Sequence, residues 1–262
     1  MRTFIFLLIS CEFVFAIAQR KTAYHQYMAV EENETLLLSQ DTIIVDTLIM
    51  RDNSTLTFES DTYLQIQHGY LGSNVSFSSQ GVDGSNGRNG DTAILDGENG
   101  LHGIEGKSLA IVVNFEALGS LHITTVGGKG GKGGDGYSSP RLFSLKISIN
   151  RPIIDVGIQG GNGGNGGRGG DGGDINLMYS TSGFVPVFNR NRKEHVIHLV
   201  AKGGNGGKGG KGGKGYEPTG DTYVSPVTSG GAKGSNGLKG FAETAGSEGK
   251  IIIRKMTSEI YP

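Results

Sequence analysis

Fifteen residues, Gly160 to Asp174, read GGNGGNGGRGGDGGD, with two glycines in every triplet and Asn162, Asn165, Arg168, Asp171 and Asp174 in the third place. A repeat of three is the period of neither an α-helix nor a pleated strand. It is the period of the polyproline-II helix, which rises about 3.1 Å per residue and makes no internal hydrogen bonds. The backbone N–H and C=O groups of such a helix must therefore be satisfied by water or by a neighbouring chain. Several of these helices can satisfy one another only if no side chain holds their backbones apart, and glycine alone meets that condition. Close approach would add many weak Cα–H···O contacts.

The tract is one of several. Of 47 glycines, all but Gly69 and Gly72 lie at or beyond Gly81, and all of these but Gly119, Gly157, Gly183 and Gly220 fall into five blocks. The first has Gly81, Gly84, Gly87 and Gly90 and, after a break, Gly97, Gly100, Gly103 and Gly106. The others are Gly127 to Gly136, Gly160 to Asp174, Gly203 to Gly215, and Gly230 to Gly240 trailing into Gly246 and Gly249. The middle three blocks are Gly-Gly-x and the outer two Gly-x-x. A three-fold helix with two bare faces accepts close neighbours on both, and one bare face suits an edge. The chain order thus predicts edge, interior, interior, interior, edge.

Strand-like runs separate the blocks: LAIVVNF (109–115), LHITTV (121–126), LFSLKISI (142–149), IIDVGIQ (153–159), INLMYS (175–180), HVIHLVA (195–201) and KIIIRKM (250–256). Before them, residues 35–80 hold short β-branched or alternating runs such as TIIVDTLIM, STLTF and TYLQIQ, broken by polar pairs. The expected fold is all-β: an N-terminal β-solenoid or β-sandwich segment, then a glycine-rich bundle of polyglycine-II helices alternating with β-strands. The expected divisions are a signal peptide (1–18), a β-rich segment (19–80), the glycine-rich repeat (81–249) and a C-terminal strand and tail (250–262).

Other readings of the glycines fit less well. Flexible linkers are Ser-rich and irregular, whereas these blocks carry Lys, Asn and Asp at regular positions. Collagen needs abundant proline, and none of the six prolines lies within a block. Gly106-Lys107-Ser108 imitates the end of a phosphate loop, but Leu101 stands where its first glycine belongs. In backbone grammar, Gly81 to Gly249 resembles the polyglycine-II bundle proteins, the snow-flea-type antifreeze proteins and glycine-rich phage tail-fibre tips. Residues 41–66 resemble the opening coils of secreted β-helices. Neither resemblance carries binding residues, and the charged third positions depart from the antifreeze pattern.

The first residues set the expected compartment. Arg2, the apolar stretch FIFLLISCEFVFAIA and the small-x-small Ala16-Ile17-Ala18 form a secretory signal. Its removal takes the only cysteine, Cys11, so neither disulfides nor Cys-type zinc would brace the mature chain. Asn33, Asn53 and Asn74 are candidate glycosylation sites.

Catalytic constellations are lacking. His195 and His198 alternate to opposite faces of a strand, and Asp83, Asp91 and Asp96 are the nearest approach to the calcium ligands of a β-helix lyase. We therefore expect no catalytic residue, no cofactor and no metal site. The candidate surface-contact residues are Lys129, Lys132, Arg168, Lys208, Lys211 and Lys214, recurring about 9 Å apart along each block. A formal net charge of −1 argues for neither nucleic acid nor a membrane surface as partner. The expected function is that of a secreted, non-enzymatic structural protein of an extracellular matrix, such as the organic matrix of a mineralised layer. Its partners would be other matrix proteins, anionic polysaccharide or a mineral surface. The alternatives are an adhesin or glycan-binding module, using loops such as 179–192 or 216–229, and a polysaccharide-active β-helix enzyme.

Overall fold

The computed structural model describes residues 22–138, 159–192, 194–215 and 238–256. These residues are all-β, with no helix among them. Twelve described strands form two parallel sheets, alternating between them from β1 to β10, after which β11 stays in the second sheet and β12 returns to the first. One sheet has the order β1 (Thr22–Val30), β3 (Thr42–Met50), β5 (Thr62–Leu71), β7 (Leu109–Leu118), β9 (Ile175–Thr181), β12 (Ile251–Lys255). The other runs β10 (Val187–Phe188), β11 (Val196–Val200), β8 (Ser120–Thr124), β6 (Val75–Ser78), β4 (Thr55–Phe58), β2 (Thr35–Leu38). Up to β10 the chain crosses to the other sheet after every strand, and the strands of each sheet lie side by side as successive rungs; β10 departs from this order, lying beyond β11 at the edge of its sheet.

In-register pairing stacks like residues. Ile43 lies beside Leu64, Ile111, Leu177 and Ile253 in turn, and Leu36 beside Leu56, Phe77, Ile123 and Leu199. The period-two alternation sends these residues inward, so that Ile43, Leu64, Ile66, Phe77, Ile111, Phe115 and Ile123 are fully buried between the sheets. The strand runs within the described residues form where the sequence placed them. The strand-like runs of the sequence begin at residue 35, yet Thr22–Val30 forms β1 at an edge of its sheet, with Tyr24 and Tyr27 exposed. LFSLKISI and nearly all of IIDVGIQ lie outside the described residues.

The corners explain a sequence signal. Asn33, Asn53 and Asn74 all adopt left-handed backbone (φ 62°, 59° and 56°), which asparagine tolerates better than most residues. Each sits one or two residues before β2, β4 or β6, where Thr or Ser follows. Asn53 N–H donates to Ser73 C=O, and Asn74 Nδ2 donates to Asn53 Oδ1 (2.9 Å). The three Asn-x-Ser/Thr triplets are thus the same corner repeated on successive rungs.

The glycine blocks leave the sheets where a strand of the second sheet ends and return where a strand of the first begins. Six tracts are described: I (81–90), II (97–106), III (127–136), IV (160–173), V (203–215) and VI (238–249). The first block is not one element. A turn closed by Asp91, whose Oδ1 accepts from Ala93 and Ile94 N–H, folds it into tracts I and II. Tracts I, III and V follow β6, β8 and β11; tracts II, IV and VI lead into β7, β9 and β12.

Hydrogen bonds at every third residue knit these tracts into two layers. Within one layer Gly84 N–H donates to Lys129 C=O (2.7 Å) and Gly130 N–H to Asn205 C=O (2.8 Å). Within the other, Gly100 donates to Asn165 and Gly166 to Phe241. Between layers, Leu101 donates to Ser85, Gly131 to Leu101, Gly167 to Gly131, Gly207 to Gly167 and Glu243 to Gly207. Each tract therefore bonds to the next tract and the next but one. The expected single row of blocks is corrected to this staggered double row, because the first block doubles back on itself.

The stagger accounts for which glycines are kept. A side chain at the first glycine of a triplet would strike the backbone of the next tract: at Gly127 it meets Gly170 O, and at Gly203 it meets Gly246 O. At the second glycine it would strike the tract two before: Gly131 meets Ser85 O, Gly164 meets Glu98 O, and Gly207 meets Gly131 O. Tracts I and II have no tract two before them and carry Val82, Ser85, Arg88, Glu98, Leu101 and Ile104 in the second place. Tract VI is followed by none among the described residues and carries Lys239, Ala242, Ala245 and Glu248 in the first place. Glu243, in the second place of tract VI, is the exception, and nothing in the structure explains it.

Candidate surface-contact site

The third residues of the triplets have a use the sequence did not suggest. Their backbone N–H groups are taken by side chains from the same layer. Asp83, Asn86 and Asn89 of tract I accept, through Oδ1, from Lys129, Lys132 and Asp135 N–H (2.7, 2.8 and 2.8 Å). Asp96, Asn99 and His102 of tract II accept from Asn162, Asn165 and Arg168 N–H. Asn162, Asn165, Asp171 and Asp174 of tract IV accept from Leu238, Phe241, Ser247 and Lys250 N–H. Only a short side chain ending in an acceptor reaches the next backbone, so Asn and Asp recur at this place.

These bonds tune the carboxylates. The Lys211 N–H, followed by the nearby lysine side chains, holds Asp135 below the usual aspartate range against a small opposing effect of burial. Ser247, through its N–H and then its hydroxyl, does the same for Asp171. Asp83 and Asp96, weighed as metal ligands, are each spent on a backbone N–H, and Asp91 closes a turn. Among the described residues no three His, Cys, Asp or Glu side chains gather to hold a metal ion.

Lysine cannot make such a stitch, having no acceptor. Five of the six candidate contact residues come together: Lys129 and Lys132 on tract III, and Lys208, Lys211 and Lys214 on tract V, adjacent in one layer. Arg168 lies on tract IV in the other layer, where its guanidinium pairs with Asp171 (2.8 Å). Lys132 pairs with Asp135 (3.3 Å). Among the described residues Lys129, Lys208, Lys211 and Lys214 have no acidic partner.

Among the described residues tract V is the last of its layer. The backbone N–H groups of Gly203, Gly206 and Gly209 stand where those of Gly127, Gly130 and Gly133 donate to the next tract of the layer, and among the described residues no hydrogen bond takes them. The N–H groups of Lys239, Ala242 and Ala245, at the same place in tract VI, are likewise unpaired among the described residues. A groove of about 750 Å³ lies beside this edge, lined by Lys132, Lys208, Gly209, Lys211, Lys239, Gly240, Phe241 and Ala242. Lys239 and Phe241 were not singled out from the sequence, because their nearness to Lys208 appears only once the tracts are stacked.

A second cleft, about 740 Å³, lies at the foot of the array, with Asp41, Glu59, Asp61, Lys107 and Asp174 around it. Asp61 accepts from Ser108 N–H (2.7 Å) and Asp174 from Lys250 N–H (2.7 Å), so both act as structural acceptors.

The histidines pair across rungs. His122 on β8 and His198 on β11 stack with ring centroids 4.7 Å apart. Burial, then the neighbouring His198, pushes the His122 pKa down. His195, with φ 55°, stacks on Phe184. The loop 216–229 lies outside the described residues. The candidate glycosylation residues Asn33, Asn53 and Asn74 are all exposed.

The chain matches no protein-family model, no curated protein and no solved structure.

Proposed function

We propose that the chain is a secreted, non-enzymatic structural protein of an extracellular matrix, built as a β-solenoid from which a bundle of polyglycine-II helices projects. The solenoid reading is supported by the uniformly parallel strand pairing, in register apart from a shift around Gly69 between β5 and β7, since β-sandwiches are built from antiparallel sheets. The polyglycine-II reading is supported by the period of three in the hydrogen bonds between tracts and by the glycine positions at which a side chain would strike a neighbouring backbone. At the rise of such a helix, tracts of ten to fourteen residues would extend about 30 to 45 Å from the sheets.

The observation that carries the functional reading is the array itself. It is a hydrogen-bonded plate with almost no apolar side chains inside, and its outer positions are given to backbone stitches and lysines. Such a plate offers stiffness and a polar face and no enclosed reaction chamber. The partners are other matrix proteins and an anionic polysaccharide or mineral surface, met by the lysine face. The test is extraction: antibody against the chain should stain secreted material and follow the insoluble fraction through salt and detergent washes. Recovery from the cytosolic fraction would overturn the reading.

A further inference from the structure

We propose that the open edge of the glycine array is a binding groove for one strand of an acidic polysaccharide, held by Lys208, Lys211 and Lys239 and by the unpaired N–H groups of Gly206, Gly209 and Ala242. The inference rests on the matrix reading above and gives its anionic partner a place on the molecule. Three observations carry it.

The groove is lined by four lysines, Lys132, Lys208, Lys211 and Lys239. Asp135, beside this row, is already held by Lys132 Nζ and the Lys211 N–H. Among the described residues, no acid forms an ion pair with Lys208, Lys211 or Lys239. With four lysines lining one groove and a single carboxylate shared between Lys132 and Lys211, the groove favours an anion.

The edge also presents backbone donors in a line. In the interior, Gly130 and Gly133 donate to the next tract of their layer. Gly206 and Gly209 stand at the same place in tract V and find no such tract among the described residues. Lysines about 9 Å apart along the tract, each with an unpaired N–H beside it, suit an extended chain whose sulfate or carboxylate groups recur. N–H and ammonium donors bind charged oxygens more strongly than neutral ones.

The edge is closed to the alternative occupant, another glycine tract from a second copy. An added tract would have to lie against the first places of tract VI, which Lys239, Ala242, Ala245 and Glu248 fill with side chains. The opposite edge of a second copy presents Val82, Ser85 and Arg88, whose side chains stand where glycine is needed for approach. Lysine on an exposed edge also blunts self-association.

The test is titration of the secreted protein with a heparin-derived hexasaccharide and, separately, a galacturonate hexamer, followed by amide NMR and calorimetry at several salt concentrations. The amides of Gly206, Gly209 and Ala242 should shift while those of Gly131 and Gly167 stay, and affinity should fall with salt. Lys208→Gln/Lys211→Gln/Lys239→Gln should weaken binding about tenfold or more. Arg51→Gln/Arg254→Gln/Lys255→Gln removes the same charge from the sheets and should change it less than about twofold. Circular dichroism of both triples checks that the fold is kept.

Equal loss in the two triples, no binding of either oligosaccharide, or concentration-dependent dimerisation through this edge would each overturn the groove. Protein in the insoluble matrix that binds neither oligosaccharide refutes the groove and leaves the structural role. Binding by a protein found in the cytosol keeps the groove and refutes the role.

Discussion

The two halves of this molecule solve one problem in opposite ways. Between the sheets, order comes from large side chains: Phe77, Phe115, Ile43 and Leu64 are removed from water and stacked on their like. In the glycine array, order comes from the removal of side chains, so that Gly131 reaches Leu101 and Gly167 reaches Gly131, backbone to backbone. The first half is stabilised mainly by burial of apolar surface, at roughly 25 cal/mol per Å². The second depends on hydrogen bonds worth about 1 kcal/mol each and must overcome the conformational entropy of glycine. Ser79 and Thr125 join them. Each is a buried hydroxyl at the end of a strand that donates across the layers, to Lys107 C=O and Gly173 C=O. The lesson is that a residue's worth depends on which half it occupies. A methyl group stabilises the sheets and breaks the array.

That contrast can be broken from either side. The largest effect should come from Phe77→Ala, which leaves a void between the sheets and costs about 3–5 kcal/mol, measured by chemical denaturation. Because the array is rooted on β6, β8 and β11, it should be lost in the same transition. Gly167→Val should come next, at about 3 kcal/mol or more, since its side chain would meet the Leu101 carbonyl. The informative partner is Ser85→Val, at the same place of the triplet in tract I, where no tract lies two before. It should cost less than about 0.5 kcal/mol. Equal losses at Gly167 and Ser85 would break the positional rule.

Much of this was legible beforehand because both halves write their period into the sequence. Alternation in TIIVDTLIM and TYLQIQ marks strands with one buried face. The triplets mark tracts whose backbones must touch. What the sequence could not supply was stacking order. Nothing local to Gly90 and Gly97 says that the chain reverses between them, so one block stood where two tracts lie. The third-place Asn and Asp side chains found no partner in the sequence because their partners, Lys129 N–H for Asp83 and Phe241 N–H for Asn165, lie dozens of residues away. For the same reason His198 was weighed against His195 and not against His122, and Lys239 was not seen beside Lys208.

Smaller effects sharpen the account of the stitches. Asn165→Val leaves the Phe241 N–H without its acceptor and should cost about 1 kcal/mol. Asn165→Asp should cost less, because Oδ1 is kept. Asp135 and Asp171 have pKa values depressed in the folded chain, so the stability they add is present above the usual aspartate range. It is lost as pH falls through their folded values. The melting temperature of the array should therefore drop in strong acid, and Asp171→Asn, which retains the acceptor, should reduce that drop. The least effect on stability, with a clear mass signature, concerns Asn33, Asn53 and Asn74. Neighbouring strands lie about 4.8 Å apart, too close for three branched glycans on consecutive rungs. Intact mass should show fewer than three occupied in any one molecule. Full occupancy would contradict the stacked corner.

The central claim is that glycine here lets backbones bond to one another. Amide hydrogen exchange, resolved by residue, tests it most directly. The account predicts slow exchange at Gly131, Gly164, Gly167 and Gly207, approaching that of Ile111 and Ile123 between the sheets, and fast exchange at Gly203, Gly206 and Gly209 on the open edge. Exchange at all seven glycines at the rate of a free peptide would contradict it.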